Sequence, residues 1–168
     1  MTWITFRENP HPMPTDPPTL DLAGLPGHDI RRLHQIAVAL FMQEMEGHGV
    51  TPVQYAALQA VQNQPGLDQR TLARTIGFDT STIAGVVDRL EARGLMQRNA
   101  SAQDRRVRLL TLTDAGRQLV AEAVPAMLRA QARILAPLPQ ADRAGFMAML
   151  RRLLEGHDGL DRAAPGGD

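Results

Sequence analysis

The strongest constraint on the fold is the order of elements written into residues 68–112. Asp68 can cap a short helix over Gln69–Ile76 that buries Leu72, Ala73 and Ile76. Gly77-Phe78 then makes a tight turn, and Asp79 or Thr80 caps a second helix ending at Gly94. At about 100° per residue, Ile83, Val86, Val87 and Leu90 gather on one side of that second helix. Two β-prone runs follow, Leu95–Asn99 and Arg106–Leu112, around the polar loop Ala100–Asp104. In the second run Arg106 and Arg108 alternate with Val107 and Leu109, as in a half-exposed strand. Leu110 and Leu112 then break the alternation, which predicts a twist or bulge. Two short helices joined by a glycine-bearing turn form a helix-turn-helix, and a hairpin directly behind it forms a wing. The fold class this implies is mainly α with a small β wing, a winged helix-turn-helix domain; the flanking helices, with more aliphatic surface than a lobe of about 50 residues can cover, would add a helical dimerisation domain.

The flanks read as helices with a proline-rich start. Prolines at 10, 12, 14, 17, 18 and 26 mark residues 1–28 as an N-terminal arm. Residues 29–62 hold a helix over Asp29–Gly47, with Asp29 as its N-cap, and a second helix restarted by Thr51-Pro52. The winged lobe spans 63–113. Residues 114–156 hold a long helix capped by Thr113 or Asp114, with a kink expected at Pro125, and a last helix near Gln140–Glu155. The inner face of that last helix should be Phe146, Met149, Leu150, Leu153 and Leu154. Residues 157–168 read as a flexible tail.

Composition narrows the chemistry. There is no cysteine, which removes disulfides, zinc-thiolate sites and thiol nucleophiles. No run approaches the roughly 18 apolar residues of a membrane span, and the first residues lack a signal-peptide layout. A cytoplasmic protein without membrane partners is expected. Net charge is zero, but it is unevenly spread. Residues 63–113 hold eight arginines against five acids, and Arg89–Arg108 six against two. Such a local basic patch suits a polyanion better than the total suggests.

The face of the second helix opposite its apolar side carries Ser81, Gly85, Asp88 and Ala92, flanked by Thr82, Ala84 and Arg89. Short side chains there would let the backbone come close to phosphates and base edges in a major groove, although Ser and Thr alone would suit a plain solvated face. The wing segment supplies Arg98, Asp104, Arg105, Arg106 and Arg108. An arginine at a wing tip can enter a narrowed minor groove, with Asp104 orienting Arg106 through a charge-assisted hydrogen bond. An ordinary charged hairpin is the competing reading.

The run Leu72-Ala73, Thr82, Val87-Asp88-Arg89-Leu90-Glu91, Gly94-Leu95, Arg98, Asp104-Arg105-Arg106, Leu112-Thr113 and Gly116 resembles the signature of the MarR family of winged-helix repressors. The resemblance covers about 30–155. It implies a homodimer whose first and last helices interlock and whose paired lobes read a pseudo-palindromic double-stranded operator. It further implies that Arg106 is the minor-groove arginine with Asp104 as its partner, and that Thr80, Ser81 and Thr82 lie at the start of the groove helix. Members of the family usually respond to small aromatic carboxylates or phenols, bound between the dimer helices and the DNA-binding lobe. The stretches 27–33 and 51–55 look most like the branch that controls breakdown of aromatic acids such as hydroxynicotinate. Candidate ligand-binding residues here are His28, Arg31, Arg32, His34, Gln54 and Tyr55. An arginine can pair a carboxylate twice, but the plainer reading is that these arginines solvate a helix end, with Tyr55 in the core.

Catalytic and metal readings find little support. Glu44 and His48 share a helix face, but no third ligand is suggested, and zinc needs three or four. No phosphate loop, nucleophile elbow or paired-carboxylate motif occurs. No cofactor or metal is expected. Two functions stay open: a ligand-responsive, sequence-specific regulator, or a ligand-independent structural DNA-binding or helical interaction protein.

Overall fold

The structure is a computed structural model and describes residues 21–101 and 107–157. The elements run α1 (Pro26–Glu44), α2 (Pro52–Asn63), β1 (Leu67–Asp68), α3 (Gln69–Ile76), α4 (Thr80–Ala92), β2 (Met96–Ala100), β3 (Arg108–Leu112), α5 (Asp114–Leu135) and α6 (Gln140–Gly156), with short 3-10 turns at Leu22–Gly24 and Glu46–His48. The fold is mostly helical with a small β wing, as expected, but the antiparallel sheet has a third strand, β1, beyond the expected hairpin. Among the described residues no helix is long and apolar enough to cross a membrane.

Side-chain caps set most of the helix starts. Thr51 and Gln54 form a reciprocal capping box on α2, and Asp68, Asp79 and Thr113 accept from the third backbone N–H of α3, α4 and α5. α1 departs from expectation. It begins at Pro26, where the missing N–H is no loss, so Asp29 sits in the first turn rather than at the cap. It ends at Glu44 and hands over to the 3-10 turn that closes at Gly49, in the left-handed region at φ +61°. α5 continues through Pro125.

The sheet order is β1-β3-β2, with the two-residue β1 paired to β3 through Leu67 and Leu110. β2 and β3 pair residue for residue from Met96 opposite Leu112 to Ala100 opposite Arg108, so there is no bulge. The inward face of β3 carries Leu110 and Leu112, one residue out of step with the expected Val107 and Leu109. Arg108 shares the parity of the buried leucines. It lies at the strand end, past the core, where that face is open to solvent.

The core sits under the winged lobe and continues along α5. Leu58, Leu72, Ile83, Val86, Val87, Leu90 and Leu110 are fully buried, and Phe41, Met45, Val120 and Ala123 extend the cluster to α1 and α5. Glu44, from α1, accepts from Arg129 Nε at 2.8 Å and Arg133 Nη1 at 2.9 Å, both on α5. These two donors hold its carboxyl below the ordinary value of 4.5. The stabilisation they supply is therefore present above about pH 4.5 and is lost as the pH falls through the lowered value. Glu44→Gln should lower stability at neutral pH, and the gap to the parent should close in acid. Urea unfolding at about pH 7 and pH 3.5 checks this, and a gap that is equal at both would contradict it.

α6 differs from the expected picture. None of its residues is buried, and Met149, Leu153 and Leu154 are exposed rather than inward. Ile30, Leu33 and Ile36 of α1 and Val124 and Leu128 of α5 are also exposed. A helix with this many uncovered aliphatics lacks a partner surface within the single chain.

Candidate nucleic-acid interface

The sequence Asp79-Thr80-Ser81-Thr82 opens α4 with an N-cap that does more than start the helix. The Asp79 carboxylate accepts from Thr82 N at 2.7 Å, from the Thr82 hydroxyl at 2.5 Å and from the Ser81 hydroxyl at 2.5 Å. The Ser81 and Thr82 hydroxyls, followed by the Thr82 N–H, push the Asp79 carboxyl well below the usual carboxylate range. Thr80, Ser81 and Thr82 are exposed, as are Asp88 and Arg89, while Ile83, Val86, Val87 and Leu90 anchor the opposite side at zero exposure. Gly85 leaves room on the outer face: a methyl there would lie 3.5 Å from the Arg89 guanidinium, which folds back along the helix over it. α4 therefore presents a face of short polar side chains, and a major groove admits an α-helix.

Arg98 has a different job from the one expected. Its guanidinium donates to Asp88 at 2.6 Å, to Glu91 at 2.5 Å and to Gln69 at 3.4 Å, and its side chain is 22% exposed. Two carboxylates and an amide from α3 and α4 occupy it, so it braces β2 against the helix pair instead of projecting outward. Arg108 is exposed on β3. Ser101 N donates to Val107 O at 3.0 Å across the base of the wing. Asp104, Arg105 and Arg106 lie outside the described residues.

The six ligand candidates do not converge within the chain. Gln54 is spent on the α2 cap, its Oε1 accepting from Thr51 N at 3.1 Å. Tyr55 is buried against Phe41 with ring centroids 6.1 Å apart, its hydroxyl donates to Gln59, and burial pushes the phenol above its ordinary value. Within the single chain Gln54 serves the α2 cap and Tyr55 the core. His28, Arg31, Arg32 and His34 lie on the first turns of α1, with both arginines and His34 exposed. At 1.5 Å per residue, Arg32 is roughly 14 Å from the level of Phe41 and Tyr55. An open depression of about 550 Å³ lies at the opposite end of α1, around Met42, Met45, Val50 and Thr51, and none of the six lines it. Sequence reasoning missed the Asp79 clamp, although an acid two and three residues before Ser and Thr was the available signal. It also missed the bond from Arg93 Nη1 to Gly49 O at 2.8 Å, which ties the end of α4 to the α1–α2 corner and has no local signature.

Residues 48–107 match the family model described as MarR family. PcaV of Streptomyces coelicolor, a transcriptional regulator solved in complex with its natural ligand, is 39% identical with a TM-score of 0.74, covering 82% of this chain and 97% of that one. The chain belongs to the MarR family. Two other proteins of known structure are similar over nearly their whole length. BpsR of Bordetella bronchiseptica, whose DNA binding is regulated by 6-hydroxynicotinic acid, is 31% identical over 81% of this chain and 97% of that one, with a TM-score of 0.76. CouR of Rhodococcus jostii, a transcriptional repressor solved on a 23-mer DNA duplex, is 30% identical over 79% and 94%, with a TM-score of 0.74. This MarR-family chain is a sequence-specific DNA-binding regulator of transcription and not an enzyme.

Proposed function

We propose that the protein is a repressor that binds a pseudo-palindromic operator as a homodimer and is released by a small aromatic carboxylate or phenol. The observation that carries the DNA half is the exposed polar face of α4 beside the wing, in a fold shared with CouR on its duplex. Thr80, Ser81, Thr82, Gly85 and Arg89 enter the major groove in this reading, and the wing arginines, Arg105, Arg106 and Arg108, approach the minor groove with Asp104 beside them. Arg98 holds β2 against the helix pair.

The dimer is argued from α6 and from the aliphatics left uncovered on α1 and α5. An obligate interface of this kind typically buries more than about 2,000 Å². Sedimentation at low micromolar concentration should give twice the 18.4 kDa chain mass, and a single 18.4 kDa species would rule the dimer out.

The effector class is supported by BpsR and its hydroxynicotinic acid and by four groups suited to an anion, His28, Arg31, Arg32 and His34, on a helix whose neighbouring face awaits a second protomer. If Arg31 or Arg32 clamps the carboxylate, Arg→Ala at that position should leave operator affinity intact and weaken ligand release by about one to two decades, the worth of a charge-assisted pair. Anisotropy titrations with a panel of aromatic acids test it. Two single variants that both respond as the parent does would place the clamp elsewhere.

A further inference from the structure

The chemistry at the start of α4 carries an inference about which bases the protein reads, and it rests on the operator-binding reading above. A hydroxyl offers one donor and two acceptor lone pairs. The Asp79 carboxylate receives the donors of both Ser81 and Thr82, at 2.5 Å each. A carboxylate has no proton to give, so both hydroxyl hydrogens point inward and only lone pairs face outward. Four residues further on, the Arg89 guanidinium lies beside Gly85 and can only donate.

The geometry points to a reading face of fixed polarity, in which Ser81 and Thr82 accept from an exocyclic amino group of adenine or cytosine, and Arg89 donates to guanine about one to two base pairs away. In the major groove, adenine N6 and cytosine N4 present donors, whereas guanine O6 and thymine O4 present lone pairs. An acceptor-only patch therefore selects amino bases over keto bases on the strand beneath it. The spacing follows from the rise of roughly 6 Å over the four residues from Ser81 to Gly85, against about 3.4 Å per base step. The lowered titration of Asp79 agrees with a carboxylate that stays ionised at neutral pH.

The test uses the full chain to select duplexes from a random pool, followed by anisotropy on single-base variants of the selected half-site. The parent should favour A or C over G or T by about five- to tenfold at one position. Asp79→Asn keeps a good N-cap, but its amide nitrogen donates, which frees a hydroxyl to donate outward. The preference at that position should then vanish or reverse. Ser81→Ala/Thr82→Val, which leaves the cap carboxylate in place, should abolish it as well. Arg89→Ala should erase only the neighbouring guanine preference.

A keto preference in the parent overturns the inference, as does an amino preference unchanged in both the Asp79→Asn and Ser81→Ala/Thr82→Val variants. Either result leaves operator binding standing. A pool from which no sequence is enriched removes the operator reading and this inference together.

Discussion

Gly116→Ala should be among the most damaging single-methyl additions in the chain, at about 3 kcal/mol or more of lost stability. Gly116 is buried in the first turn of α5, and a Cβ there would sit 1.9 Å from the carbonyl oxygen of Leu95. The obstacle is backbone, so no side chain can swing aside. That corner is held from several directions. Thr113 Oγ1 donates to Gly94 O at 2.6 Å and accepts from Gly116 N at 3.1 Å, while Thr113 N donates to Leu95 O at 3.3 Å. Relieving the clash would lift α5 from the junction of α4 and β2, where the lobe meets the long helix. Urea unfolding measures the loss, and a value below about 1 kcal/mol would show that the corner yields more easily than its bonding indicates.

The second large effect is expected at the wing. Arg106→Ala should weaken operator binding strongly, because a groove arginine combines attraction to phosphates with recognition of groove width. Asp104→Ala should weaken it too, although it removes a negative charge near DNA. Diffuse electrostatics alone requires the opposite sign for Asp104. The two changes should be non-additive, since each disables the same contact. Anisotropy on both single variants and the double variant decides between the mechanisms, and tighter binding by Asp104→Ala would make the wing a simple positive patch.

Local chemistry made much of the lobe legible. Thr51, Asp68, Asp79 and Thr113 cap where their side chains say they should, because an N-cap needs only residues within one turn. The buried stripe of α4 follows from helical period alone. What escaped depends on distant partners. β1 is two residues long and exists only because β3 passes beside it. The inward face of β3 is decided by the core it covers, and short periodicity misjudged it by one residue. Arg98 looked like any wing arginine until Asp88, Glu91 and Gln69 closed around it. The apolar stripe of α6 was visible in the sequence, but nothing in one chain could tell an inner face from one awaiting a second copy.

The most direct test compares binding of the full chain to a duplex from its own upstream region and to a shuffled duplex of equal length, at about 50 and 200 mM salt. A reading face on α4 supported by a basic wing predicts that both affinities fall with salt, while the upstream duplex stays tighter by about a thousandfold or more. Equal affinities with equal salt slopes would leave only nonspecific attraction to phosphate and would contradict the account.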